Sequence, residues 1–402
     1  MHLLPFQGFL IFPGKNQTLL MLHSHSMKCI WIEIGTTKGR SFMTISLCMI
    51  VKNEETTLAR CLNSVVGIAD EIIIVDTGST DRTKEIAGRY TDKIFDFPWV
   101  DDFAAARNFS FSKATMEYCM WLDAGDILLS ADQTNLKKLK MELPVETDVV
   151  MMRYHTAFDE AGNPTFSYYR ERIVRNHAGF FWQGAVHEVI TPAGTIVSSE
   201  IAVTRRKLRP SDPDRDLRIF EKLLRDGRPL TPHEQFYYAQ ELYYHRRFQE
   251  ADEAFTTFLD DGHGWIGNQI DACRLRADCR YQQGHAQQAL ESLLQSFAFD
   301  LPRAPVCCDI GKHFFDRRNY RVACFWYEQA IRCPRDERAG ALIQPDYHGY
   351  IPYLQLCACC QRMGEREKAI AYNEKAGECK PNSAAVRQNR EYFLQTSPGS
   401  GI

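Results

Sequence analysis

The stretch Glu71-Ile72-Ile73-Ile74-Val75-Asp76-Thr77-Gly78-Ser79-Thr80-Asp81 decides the fold of the first half of the chain. Its continuous β-branched run suits a strand buried on both faces of a parallel sheet, and the polar hexapeptide after it leads into a helix through Ile86 and Ala87. Upstream, Ile45 to Val51 reads as another strand, followed by the turn Lys52-Asn53-Glu54-Glu55 and a helix with Leu58, Cys61, Leu62 and Val65 on one face. Downstream come a strand at 93–96, the segment Trp99 to Asn108 followed by a helix through Ala114, and Tyr118 to Leu122 running into Asp123-Ala124-Gly125-Asp126. This β-α-β rhythm argues for an α/β domain. Ligands of such sheets gather at the carboxyl ends of the strands, so Asp76 and Asp123 stand where a site is expected.

Residues 148–204 read as shorter strands and turns that complete the domain, and Arg209-Pro210-Ser211-Asp212-Pro213 breaks regular structure after it. Beyond Pro232 the pattern becomes helical and repeats. Turn segments beginning at Arg246, Gly284, Arg318 and Gly364 align, and place Ala251, Ala289, Ala323 and Ala369 in register. Helix pairs with small residues at their contacts and a period of about 34 residues are the mark of tetratricopeptide repeats. The expected organisation is an N-terminal extension over 1–43, an α/β domain over 44–204, a connector over 205–230, helical repeats over 231–390 and a disordered tail over 391–402. Met43 opens the first strand, and Lys38-Gly39-Arg40 is compatible with a purine-rich ribosome-binding sequence, so Met43 is a candidate start.

The net charge of −3 offers no positive field for a nucleic-acid backbone. No apolar run is long enough for a membrane span. The 14 cysteines lie scattered beside apolar residues, as free thiols do in a reducing, cytoplasmic setting, and Cys357-x-x-Cys360 has no second pair at zinc spacing.

Transfer of a sugar from a nucleotide diphosphate requires neutralisation of the leaving diphosphate and a base for the acceptor. Asp123 and Asp126 supply hard oxygen ligands suited to Mg2+ or Mn2+; Asp126 also has the chemistry of a helix N-cap. Four clusters, Ser46 to Glu55, Asp76 to Asp81, Ala106-Arg107-Asn108 and Trp121 to Asp126, together resemble the family 2 glycosyltransferases in order and separation. The chain is similar to bacterial family 2 enzymes fused to tetratricopeptide repeats, a group that includes S-glycosyltransferases of bacteriocin peptides. The resemblance implies a GT-A fold, Rossmann-like with a mixed, mostly parallel sheet, followed by an all-α array. It also implies inverting transfer from a UDP-sugar, with Asn53, Glu54, Asp76, Ser79, Arg107, Asn108 and Asp123 at the donor.

One departure is Gly125, which stands where similar enzymes usually carry an aspartate that contacts the metal. The resemblance offers His187 as a further metal ligand and Glu188 as the catalytic base, with Asp159 as the fallback. Alternation on a regular strand forbids His187 and Glu188 from both pointing inward, so a loop or bulge is required there. The extended surface of a solenoid favours a peptide or protein acceptor, and a homodimer through the repeats is a further expectation. The alternatives are a glycosyltransferase of cell-envelope or polysaccharide assembly and a non-catalytic scaffold with a degenerate GT-A domain.

Overall fold

A computed structural model of the chain describes residues 42–158, 162, 164–206, 212–334 and 344–396. The stretch before residue 42 and the fallback base Asp159 lie outside the described residues. The first domain runs β1 (Ile45–Val51), α1 (Leu58–Asn63), β2 (Glu71–Asp76), α2 (Thr83–Ala87), β3 (Ile94–Asp96), α3 (Phe103–Phe111) and β4 (Tyr118–Trp121). It continues with β5 (Asp126–Leu128), α4 (Ser130–Glu142), β6 (Val149–Phe158), β7 (Pro164–Arg175), β8 (Trp182–Gln183), β9 (Val189–Ile190) and β10 (Ile196–Arg205). Eight strands form one sheet in the order β3-β2-β1-β4-β7-β6-β10-β5, and β8 pairs with β9 separately. The sheet is mixed: β3, β2, β1 and β4 run parallel, β7 is antiparallel to both β4 and β6, and β10 is parallel to β6.

The apolar runs are continuous because both faces of the central strands are covered. Ile45, Leu47, Met49 and Val51 of β1 pack with Leu58, Cys61 and Leu62 of α1, while Cys48 packs on the opposite face with Ile73, Val75, Trp121 and Trp182. β1 is flanked by β2 and β4, so Asp76 and Asp123 emerge from the same edge of the sheet with one strand between them. At about 4.8 Å per strand this separates them by roughly 10 Å, the span of a small phosphate-bearing ligand.

The stretch expected as a connector contains α5 (Arg215–Arg225), whose Leu217 and Phe220 are buried. Ile219 and Phe220 pack on Ala185 and Val186 of the first domain, and Leu217 packs on Phe236 and Ala239, so this helix joins the two parts of the chain through apolar contact. Antiparallel pairs follow: α6 (Pro232–Tyr244) with α7 (Phe248–Asp261), α8 (Ile266–Gln282) with α9 (Ala286–Gln295), α10 (Ala304–Asp316) with α11 (Tyr320–Arg332), and α12 (Tyr350–Arg362) with α13 (Arg366–Cys379). α14 (Ala384–Gln395) covers the end and runs into the segment expected as a tail.

The repeat alignment has a physical basis. Ala251, Ala289, Ala323 and Ala369 are all fully buried where paired helices touch. The first residue of each aligned turn, Arg246, Gly284, Arg318 and Gly364, has φ between 58° and 81°, the left-handed conformation that stops one helix and redirects the chain into the next. α6 starts with a capping box in which Thr231 and Glu234 satisfy each other's backbone N–H, with Pro232 in the first turn. Every described cysteine is a free thiol.

Candidate active site

The donor-side loops are knitted together by their own polar groups. Asn53, with φ of 55°, accepts from the backbone N–H of Thr80 at 2.8 Å, and its own N–H donates to Ser79 Oγ at 2.9 Å. The Glu54 N–H donates to Thr83 Oγ1 at 2.7 Å, and its carboxylate accepts from Thr57. Asp76 Oδ1 accepts from the backbone N–H groups of Gly78 and Ser79 at 2.9 and 2.8 Å. Its Oδ2 is buried with no hydrogen-bond partner among the described residues, although a buried acceptor left unmade costs about 1–3 kcal/mol. That oxygen is an unspent acceptor at the mouth of the sheet.

Arg107 lies on the Asp123 side of the same sheet edge. Projecting from α3, it is 7% exposed and lies against the edge-to-face pair of indoles Trp121 and Trp182, at 5.1 and 4.8 Å from their centroids. Its Nη2 donates to Asp123 Oδ1 at 2.8 Å and its Nε donates to Glu188 Oε1 at 2.6 Å. Nη1 is buried and unpartnered among the described residues. Desolvation works to lower the Arg107 pKa, but the charges of Glu188 and Asp123 outweigh it and raise the value. Burial likewise opposes ionisation of Asp123, yet the guanidinium of Arg107, helped by Arg172 and Arg205, holds this carboxyl at about 2. Asp123 therefore carries its charge at neutral pH, and its side chain remains 42% exposed.

Asp126 is placed differently from the metal ligand expected of it. It is fully buried: Oδ1 accepts from Tyr154 Oη at 2.8 Å, and Oδ2 accepts from Arg172 Nη1 at 3.3 Å and from the Asp123 N–H at 3.1 Å. Burial is the largest influence on it and, with the charge of Asp123, pushes its pKa up to about 6. Both oxygens are spent on protein donors, and the residue starts β5 rather than capping α4. Its role in this geometry is to fix the backbone of Asp123.

The loop between β8 and β9 is irregular, with φ of 94° at Gly184 and 53° at His187. Ala185 clamps it, receiving a hydrogen bond at its carbonyl from the Phe103 N–H at 2.8 Å and donating its own N–H to Glu234 of α6 at 3.1 Å. The kink at His187 sends the two neighbours to opposite sides: Glu188 faces Arg107, whereas His187 turns away to stack on Tyr237 of α6 at 4.2 Å. Asn108 is half-buried. Its amide exchanges two hydrogen bonds with the main chain of Trp182, at 2.9 and 2.8 Å, and so holds the indole against Arg107.

Sequence reasoning missed Arg170, Arg172, Tyr154 and the role of Trp182. Arg172 is fully buried, 3.6 Å from the Trp121 centroid, and Arg170 lies 5.0 Å from the same ring. Arg172 is the extra residue of a β-bulge, since Val150 pairs with Ile173 and Met151 with Glu171. A bulge re-aims one side chain out of the alternation, here beneath the site. The only signal was three consecutive charged residues, Arg170-Glu171-Arg172, directly before the apolar pair Ile173-Val174.

The family described as "Glycosyl transferase family 2" matches residues 46–203, from β1 into β10. A TPR repeat-containing protein of Synechococcus elongatus is 36% identical over 152 residues, covering 38% of this chain and 36% of that protein. The SPbeta prophage-derived glycosyltransferase SunS of Bacillus subtilis is 28% identical over 229 residues, covering 52% of this chain and 51% of that protein. An uncharacterized glycosyltransferase of Rickettsia conorii is 38% identical over 84 residues, 21% of this chain and 29% of the relative. The chain thus spans about half the length, or less, of the curated relatives it matches. Residues 46–203 thus carry the family 2 glycosyltransferase match on a mixed, mostly parallel sheet of GT-A type, and helical pairs of tetratricopeptide type follow it in the same chain.

Proposed function

We propose that the chain transfers a hexose from a UDP-sugar to a peptide or protein acceptor with inversion, using Mg2+ or Mn2+. The observation that carries this reading is the fork of Arg107, which brings Asp123 and Glu188 together at the carboxyl edge of the sheet that also carries the unpaired Asp76 Oδ2.

Asp76 Oδ2 suits an N–H of the base or a ribose hydroxyl, and satisfying it removes a buried orphan. Arg107 Nη1 is a second unspent donor, suited to a phosphate oxygen. The residues present fit a hard divalent cation: Asp123 is ionised and accessible, and one of its oxygens, Oδ2, is not held by Arg107. Bound there, such an ion would neutralise charge on the leaving diphosphate. Glu188 Oε1 is held by Arg107 and Oε2 is left to take the acceptor proton, while Trp121 and Trp182 exclude water around the guanidinium. The helical array begins at the loop that carries Glu188, which supports delivery of an acceptor along the repeats to this base.

Calorimetry with UDP, with and without Mn2+, followed by a hydrolysis screen of UDP-sugars, tests the donor half. Metal-dependent UDP binding and hydrolysis that disappear in Asp123→Ala are the expected result. Peptides encoded beside the gene are the first acceptors to try, and absence of UDP binding under any metal condition would refute the reading.

A further inference from the structure

Turned out of the cleft, His187 meets two carboxylates from the start of the helical region. Its Nε2 lies 3.1 Å from Glu241 Oε1 of α6 and 3.9 Å from Asp216 Oδ2 of α5, and the three ligand atoms all lie within 4.8 Å of one another. No other group of three such residues at this spacing occurs among the described residues. Glu241 is only 7% exposed, and His187 is the hydrogen-bond partner of its carboxylate. Asp216 gives its other oxygen to Arg215 Nε at 2.7 Å. Two negative charges therefore face one imidazole and one guanidinium in a partly buried junction.

A nearly buried carboxylate such as Glu241 is costly unless it is paired. The cost is removed if the charge between these groups is a metal ion. Ligand atoms held about 2.1 Å from one ion stand roughly 3.0–3.5 Å from each other, so the His187–Glu241 separation already fits and the side chain of the partly exposed Asp216 must move inward. One imidazole nitrogen and two carboxylate oxygens suit Zn2+ or Mn2+ and leave coordination positions for water. The imidazole is also oriented from outside the cluster: its ring stacks on Tyr237, and the His187 carbonyl is 2.7 Å from His233 Nε2.

We propose that His187, Asp216 and Glu241 form a divalent-cation site, separate from the donor cleft, that clasps the Gly184–Glu188 loop to α5 and α6. The ion fixes the backbone next to Glu188 and so holds that carboxylate toward Arg107; His187 acts as a positioning residue. Because the ligands come from both parts of the chain, the same ion couples the helical array to the site.

The test is a titration of the full chain with Co2+ in the absence of UDP, read by ligand-field absorption and calorimetry, and repeated with Zn2+ and Mn2+. We expect one ion per chain, retained in Asp123→Asn, and weakened more than about tenfold in His187→Ala, Glu241→Gln and Asp216→Asn. The ion should also raise the thermal midpoint of the wild type and leave that of His187→Ala unchanged. Asp216→Asn, at a partly exposed position, keeps the test open if Glu241→Gln fails to fold. Binding that is lost in Asp123→Asn but kept in His187→Ala would place the ion in the donor cleft and overturn the proposal, as would absence of binding to the wild type. Either result leaves metal-dependent UDP binding to be decided by its own experiment.

Discussion

Arg107 and Glu188, 81 residues apart in sequence, form an ion pair of 2.6 Å in which both side chains are nearly buried. The guanidinium spans two carboxylates with two different nitrogens, a geometry that an ammonium group cannot reproduce. Arg107→Lys is expected to keep the charge, retain the fold by near-UV circular dichroism and lower the rate of donor turnover by about 10²-fold, as for loss of one preorganised donor. Arg107→Ala strands the nearly buried carboxylate of Glu188 and should cost about 3 kcal/mol of unfolding free energy in urea. Turnover of Arg107→Lys close to wild type would show that the fork does not organise the reaction.

Asp126 and Arg172 form a fully buried pair whose distance is 3.3 Å. Asp126→Asn keeps the shape and an acceptor for Tyr154, but leaves the guanidinium without its counter-charge. Unfolding stability should fall by about 3 kcal/mol. Metal-dependent affinity for UDP, measured well below the unfolding midpoint, should fall by no more than about tenfold, since the substitution loosens the Asp123 backbone but removes no ligand atom. A large loss of metal affinity in a variant that remains folded would return Asp126 to the ligand set.

Glu71 provides a prediction for acid stability. Burial pushes its pKa up, but hydrogen bonds from Lys93, Ser46 and Thr115 more than offset this and hold the carboxyl at about 2, below its ordinary 4.5. A depressed acid stabilises the fold above its unfolded pKa, and that contribution is lost as pH falls through the folded value. The full contribution is on the order of 3 kcal/mol, of which about 2 kcal/mol should be gone by about pH 3. Urea unfolding of the wild type and of Glu71→Gln, compared near pH 7 and near pH 3, checks this. The gap between the two proteins should shrink at the lower pH; a constant gap would remove Glu71 as the cause.

What the sequence reveals here is position along a strand or helix, and what it conceals is direction. Asp76 and Asp123 follow apolar runs, so their place at one edge of the sheet is legible, and the in-register alanines of the repeats are legible for the same reason. Arg172 is hidden because one extra residue in β7 turns a charge that alternation would put at the surface into the core. His187 is hidden because a single backbone rotation, φ of 53°, separates it from Glu188. α5 is obscured by the prolines before it, although Leu217, Phe220 and Leu224 already mark one helical face. Periodicity reports burial averaged over an element, and these exceptions are single residues whose orientation is set by partners distant in the chain.

The left-handed turns of the repeats lead to the last prediction. Gly284 and Gly364 occupy this conformation without a Cβ penalty, at φ of 81° and 78°, whereas Arg318 adopts it at 60° with its side chain exposed to solvent. For an L-residue with a Cβ the conformation costs about 1–2 kcal/mol, part of which glycine returns through its larger unfolded-state entropy. Arg318→Gly is therefore expected to stabilise the protein by about 0.5–1 kcal/mol, and Gly284→Ala to destabilise it by a similar amount. The backbone hydrogen bonds that close this turn, Arg318 N–H to the Phe315 carbonyl at 2.8 Å and Asn319 N–H to the Phe314 carbonyl at 2.9 Å, survive the substitution unchanged. Urea midpoints of the two variants should move in opposite directions at constant m-value. If Arg318→Gly lowered the midpoint, the arginine side chain would be contributing more at that corner than its backbone strain removes.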